Sequence, residues 1–391
     1  MEKPKIRFLK NKNSWVRNTF EEIAKRSTKS SDNPDLPRIE YQDIISGEGR
    51  LSKDLNKNID CRKGIVFETN DILYGKLRPY LKNWLHPNFN GIALGDFWVL
   101  QARNCDSKFL FSLVQSPKFQ RVANDTSGTK MPRSDWKTVS QTEFSIPTSN
   151  DEQSAIGSLF RTLDELLTSY KDNLVNYQSL KAAMLSKMFP QAGQTIPEIR
   201  LDGFEGEWEV VNLGTLIENF DEVISGTSGF PIATSSRKGL YLQNDYFEGG
   251  RTGIDLTLDF HRVPIGYVTY RHMSDDSIFK FNKNNFETDV LVSKEYPVFI
   301  NNDNSDIDFL LYHLNNSRLF LRFSTMQKLG GTRVRLYYKN LITYKLAVPT
   351  VKEQQAIGIY FSNLDNLINS HQEKISQLET LKKKLLQDMF I

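Results

Sequence analysis

Two cysteines in 391 residues, Cys61 and Cys105, stand apart and in no Cys-x-x-Cys spacing. That argues against a disulfide framework and a cysteine zinc site, and it fits a reducing cytosol. No apolar run approaches the ~18 residues that cross a bilayer, so no membrane is expected. Met1 to Lys12 is basic without an apolar centre, and no secretory signal is expected there. The five histidines, His86, His261, His272, His313 and His371, show no ligand spacing, and no metal is expected. No Gly-x-x-x-x-Gly-Lys-Ser/Thr loop occurs, which removes ATP handling by that route. No Asn/Asp-Pro-Pro-aromatic motif and no Glu-x-Lys triplet occurs either. The chain thus lacks the base-methylation centre of adenine methyltransferases and the usual carboxylate–lysine site of nucleases. Catalysis by this chain alone is not expected, and no catalytic residue is assigned.

What is present is a repeat. Glu152 to Phe189 reads EQSAIGSLFRTLDELLTSYKDNLVNYQSLKAAMLSKMF, and Glu353 to Phe390 reads EQQAIGIYFSNLDNLINSHQEKISQLETLKKKLLQDMF. They align without a gap, with 15 of 38 positions identical. The identities include residues off the apolar seam, such as Glu152, Gln153 and Gly157, which chance helix composition does not explain. Each copy carries a heptad stripe. Ile156, Phe160, Leu163, Leu167, Tyr170, Leu174 and Tyr177 advance by alternating four and three, and Ile357, Phe361, Leu364, Ile368, His371, Ile375 and Leu378 do the same. That alternation keeps one seam toward a partner helix. Each helix spans about 57 Å at ~1.5 Å per residue, longer than most surface helices. The pair is expected to form one antiparallel coiled coil, because each half places its domain before its helix. His371 interrupts the seam and is expected to be a packing or register residue rather than a metal ligand.

The repeat reaches beyond the helices. Pro4-Lys5-Ile6-Arg7 precedes Trp15, and Pro197-Glu198-Ile199-Arg200 precedes Trp208 at the same distance. The expected organisation is a first domain over 1–150, a helix over 151–190 and a linker over 191–196. A second domain follows over 197–350 and a second helix over 351–391. At this length each domain has enough chain to bury a core. In the first, 64–67, 71–74 and 97–100 read as strands and 107–121 as a helix that Pro117 threatens to break. In the second, 266–270 and 296–300 read as strands and 306–323 as one helix. Charge is uneven. Residues 1–150 hold 25 lysines and arginines against 17 acids, and residues 196–348 hold 16 against 20. A basic first domain suits a polyanion; the acidic second domain must rely on a local cluster.

These residues carry a resemblance. The Pro-Thr…Glu-Gln-x-Ala-Ile-Gly helix starts, Met188-Phe189-Pro190-Gln191 and the turn Gly75-Lys76-Leu77-Arg78-Pro79 resemble the specificity subunits of type I restriction–modification systems over the full length. The resemblance implies an α+β chain with two mixed α/β target-recognition domains separated by two long helices and related by a pseudo-two-fold internal repeat. It implies double-stranded DNA as one partner, each domain reading half of a split site. It also implies two methyltransferase subunits docked on the helices, together with restriction/translocase subunits, in the cytoplasm. No cofactor is expected on this chain; S-adenosylmethionine, ATP and magnesium are expected on the partners. The competing reading is a coiled-coil scaffold that assembles proteins without touching DNA, for which the acidic second domain is the best support.

Two matched loops are the leading DNA-contact candidates: Thr129, Lys130 and Arg133 in the first domain, and Thr332, Arg333 and Arg335 in the second. Glycine lets the backbone approach a phosphate, where hydroxyls and cations bind it. An arginine there also suits guanine in the major groove. Lys76 and Arg78, with Arg271 and His272 at the corresponding turn, form a second set. Tyr80, Trp84 and Trp136 lie near these cations and are expected to pack in the core, since duplex readers seldom stack on bases. Leu159, Leu166, Leu180, Leu185, Leu367, Leu381 and Leu386 are apolar off the seam, and a larger bundle with a partner helix would bury them.

Overall fold

A computed structural model describes residues 4–8, 14–52, 61–125, 130–246, 255–328 and 333–390. The chain divides into two compact units, Met1–Leu174 with Ser370–Ile391, and Val175–Asn369. Each unit therefore holds one mixed α/β domain, part of its own long helix and part of the other. Among the described residues no helix is long and apolar enough to cross a membrane.

In the first unit, one antiparallel sheet runs in the order Ala24–Ser27, Phe97–Ala102, Ile72–Gly75, Trp84–Leu85. The run Phe97 to Leu100 is buried on both faces, which explains its unbroken apolar reading. Trp98 and Leu100 point into the core shared with the helices, while Phe97 and Val99 point into a smaller core with Ile39, Phe67 and Ala93. A second sheet, Ser30–Ser31, Gly64–Phe67, Gly91–Ala93 and Arg38–Ile39, covers that smaller core and ends in a parallel pair. Pro117 does break the expected helix. Ser107–Gln115 stops, Ser116 accepts from the Phe119 amide, and Pro117–Ala123 starts with the proline in its first turn.

The second unit repeats the scheme with shorter strands. Ile217–Phe220, Val298–Asn301, Val268–Thr269 and Asn282–Lys283 form its main sheet. The strand expected over 266–270 is thus only two residues long. The helix expected over 306–323 is two helices, Ile307–Asn316 and Arg318–Met326, because the Ser317 hydroxyl caps the second one.

The long helices run Asn150–Lys187 and Val351–Met389. In both units the two helices pack antiparallel. In the first, the Lys382 Nζ lies 2.6 Å from Asp164 Oδ1, and the Lys171 Nζ lies 2.8 Å from Glu379 Oε1. In the second, Lys181 pairs with Asp365. The seam residues Ile156, Phe160, Leu163, Leu167, Ile357, Phe361 and Leu364 are buried. Tyr170 packs on His371 with ring centres 5.3 Å apart, which suits a packing or register role.

The repeated helix start has a physical account. Buried Glu152 accepts from Arg7 Nε and Nη2 at 2.6 and 2.7 Å, and buried Glu353 accepts the same pair from Arg200 at 2.7 and 2.7 Å. Each bidentate pair ties a Pro-x-Ile-Arg segment to its helix. Gln153 Oε1 accepts from the Asp106 amide and its Nε2 donates to the Pro147 carbonyl, both at 2.8 Å. Gln354 binds the Asp306 amide and the Pro349 carbonyl, both at 3.0 Å. Gly157 lets the long helix approach Lys108 and Phe109, since a Cβ there would sit 2.6 Å from the Phe109 amide nitrogen.

Candidate nucleic-acid interface

In the first unit the turn after Ile72–Gly75 is clamped to the loop that ends at Ser134. Arg78 N donates to the Pro132 carbonyl at 2.7 Å, Ser134 N donates to the Lys76 carbonyl at 2.8 Å, and Leu77 bridges Arg133. The second unit builds the same joint. Met273 pairs with Arg335 in a short ladder, and Leu336 N donates to the His272 carbonyl at 2.8 Å. This register equates Arg133 with Arg335, Lys76 with His272 and Met131 with Arg333. Both halves therefore present an exposed arginine at the same place on the same joint.

The surroundings of these cations differ. Asp96 holds Arg133 at 2.9 Å and Lys76 at 3.6 Å. Its carbonyl also accepts from the Tyr41 hydroxyl at 2.6 Å, and burial pushes that phenol up to about 12. Arg78 and Lys130 are exposed, and Arg78 has no side-chain partner among the described residues. In the second unit Arg333 Nε donates to Asp275 Oδ1 at 2.8 Å. Arg271 and Arg335 are exposed and make no side-chain ion pair among the described residues. Thr129 and Thr332 lie outside the described residues.

His272 is a correction. It is 4% exposed, its ring stacks on Tyr337 at 5.6 Å, and burial lowers its basicity. Its imidazole packs the joint instead of projecting from it. Tyr80 is a correction in the other direction: expected in the core, it is 56% exposed. Trp84 is buried as expected, and Trp136 is half-buried against Trp98 with Arg26 over its ring at 5.0 Å.

The structure adds residues that spacing did not reveal. A cleft of about 550 Å³ in the second unit is lined by Arg237, Lys238, Arg271, Lys280 and Arg333, with Asp275 among them. Arg237 and Lys238 form the tip between Ala233–Ser236 and Gly239–Leu242. Arg237 donates to Asp276, which holds that carboxyl down to about 2. The only available signal was the Ser-Ser-Arg-Lys-Gly turn between two short apolar runs. The arginines of this acidic domain thus converge from three separated segments.

The off-seam leucines divide. Leu386 is buried in the first unit's core, and Leu159 and Leu185 are partly buried against their own units' cores, so all three serve the unit itself. Leu166 and its repeat mate Leu367 are 42% and 41% exposed, and Leu180 and Leu381 are 38% and 44% exposed.

Residues 229–380 match the family described as type I restriction modification DNA specificity domain. A specificity subunit of the type I restriction enzyme MjaVIII from Methanocaldococcus jannaschii is 22% identical over 355 residues, covering 83% of this chain and 79% of that protein. Residues 229–380 of the chain thus carry this family's domain, and the chain is similar to type I specificity subunits. The EcoDI specificity subunit of Escherichia coli is 25% identical over 186 residues, covering 45% of this chain and 41% of that one. The type I restriction–modification S subunit of M. genitalium has the same fold. It superposes with a TM-score of 0.60 at 13% identity, over 100% of this chain and 99% of its own.

Proposed function

We propose that this chain is a specificity subunit, the DNA target-recognition part of a type I complex, and that each domain reads one half of a bipartite double-stranded site. The observation that carries the reading is the repeated joint, which sets Arg133 opposite Leu77 and Arg335 opposite Met273. Two arginines at equivalent joints suit two-part base or phosphate recognition. The exposed leucines of the long helices receive two methyltransferase subunits, and the helix pair sets the spacer between the half-sites. The chain supplies sequence choice; the methyl transfer and any cleavage belong to its partners, which carry S-adenosylmethionine, ATP and magnesium.

The test begins by mapping methylated adenines in cells that carry this chain and its methyltransferase. The assembled complex is then titrated with a duplex bearing the mapped site and with an unrelated duplex, across a salt series. Preference for the mapped duplex is expected, with affinity falling as salt rises. Equal affinity for both duplexes would overturn the reading. Removing one heptad from both helices, with the stripe kept, is expected to shorten the unread spacer and leave each half-sequence unchanged.

A further inference from the structure

The turn Pro79–Leu81 in the first unit presents an apolar tip that its own fold does not cover. Tyr80 is 56% exposed, Leu81 39% and, from the clamped neighbouring loop, Met131 55%. The turn is rigid. Arg78 and Lys82 frame it in the left-handed region at φ 50° and 54°, although neither is glycine. Lys82 N donates to the Pro79 carbonyl at 2.9 Å, and Gly47 N donates to the Lys82 carbonyl at 2.9 Å. Ser46 Oγ donates to the Leu81 carbonyl. Non-glycine residues kept in that region from several sides mark a conformation held for use.

The shared scaffold does not require an apolar tip here. At the corresponding turn the second unit carries Asp275 and Asp276, and the mate of Met131 is Arg333. The cations around the first tip indicate the occupant. Arg78, Lys82 and Lys130 are exposed, and from Lys76 to Lys82 there is no acidic residue. A large apolar tip flanked by exposed cations fits a DNA duplex: cations meet phosphates, and an apolar group meets base edges, thymine methyls or an opened base step.

We propose that Tyr80 and Leu81, with Met131 beside them, form a base-contacting knob of the first recognition domain, while Arg78, Lys82 and Lys130 hold the flanking phosphates. The proposal rests on the DNA-reading function above and assigns specificity-determining residues to it. It explains why the first domain needs surplus positive charge: an apolar tip gives no long-range attraction of its own.

The test uses the complete complex with its methyltransferase subunits and four duplexes: the mapped site, that site altered in one half, altered in the other half, and an unrelated sequence. Tyr80→Ala is expected to weaken binding to the mapped duplex about tenfold to a hundredfold. Binding to the unrelated duplex stays unchanged, and discrimination is lost at one half-site only. Tyr80→Phe, which keeps the ring, is expected to stay near the parent. Unchanged affinity for the mapped duplex overturns the knob. So does an equal fall on all four duplexes, which would mean phosphate contact alone. Loss of methyltransferase from the Tyr80→Ala complex also overturns it, since the tip would then be a protein contact. If the parent complex itself fails to prefer the mapped duplex, DNA reading falls together with the knob.

Discussion

Lys382 reaches Asp164 across the helix pair at 2.6 Å, and its repeat mate Lys181 makes the same bond to Asp365. The lysine of each long helix thus meets the aspartate of the other, so one bond type sets the antiparallel register in both units. The Asp164 and Lys382 side chains are only 20% and 12% exposed. Burial pushes the Asp164 carboxyl up even beside the ammonium. Asp164→Ala is expected to cost about 2–4 kcal/mol, because buried Lys382 is left without a counter-charge, with the neutral Gln115 Oε1 at 2.8 Å as its hydrogen-bond acceptor. Asp164→Leu with Lys382→Met is expected within about 1 kcal/mol of the parent, since the pair leaves together. Urea denaturation of the purified protein decides between additive and compensating behaviour.

Gly157 and Gly358 occupy equivalent helix positions but are packed to different degrees. A Cβ on Gly157 would press on the Phe109 amide at 2.6 Å and on Lys108 backbone, whereas one on Gly358 meets the Asp306 carboxylate at 2.9 Å and the Phe309 amide only at 3.4 Å. Backbone cannot yield as a side chain can. Gly157→Ala is expected to destabilise by about 1–3 kcal/mol and Gly358→Ala by less, as read from thermal midpoints.

The two arginines of the second joint are not equal. Arg335 makes no ion pair among the described residues, while Arg333 is engaged by Asp275 at 2.8 Å. Arg335→Ala is expected to cost about 1–3 kcal/mol on the cognate duplex and little on unrelated DNA. Arg333→Ala costs less, because a phosphate contact there replaces an existing bond. Asp275→Asn is expected to raise affinity for every duplex. The three titrations, run in one buffer, fail the assignment if Arg335→Ala binds like the parent.

Leu166 and Leu367 are equivalent and similarly exposed on the long helices. Leu166→Glu with Leu367→Glu is expected to release the methyltransferase subunits while the chain stays folded. Co-purification in the parent ratio would place the docking surface elsewhere.

His313 is buried in the second unit, hydrogen-bonded to the Tyr344 hydroxyl at 2.8 Å, and burial lowers its pKa to about 4. An unfolded histidine titrates near ~6.5. Below that pH the unfolded chain takes up a proton that the folded one refuses until about pH 4. The second unit should therefore lose stability as pH falls through that window, by up to about 1.4 kcal/mol per pH unit. His313→Gln removes this titration, and its stability should fall by about 2 kcal/mol less between pH 7 and pH 5. An identical pH dependence in both proteins would refute the assignment.

The long helices, their pairing and the repeated helix starts were legible because they rest on local periodicity and on a gap-free repeat. Glu152 with Glu353, Gln153 with Gln354 and Gly157 with Gly358 stood out before any contact was known, and the contacts then gave each a purpose. The candidate loops were legible as basic turns at matching places. Their chemistry was not, because charge counts carry no distances. The joining of turn and loop, the hold of Asp275 on Arg333, the burial of His272 and the exposure of Tyr80 depend on segments tens of residues apart meeting in space. The same holds for Arg237, which enters the cleft from a hairpin with no repeat mate to announce it. Sequence alone determined the helical framework and the duplicated plan, since hydrophobic spacing and repetition are local properties. Tertiary structure decided which cations are free, which are held and which aromatic faces outward, since those follow from packing between distant segments.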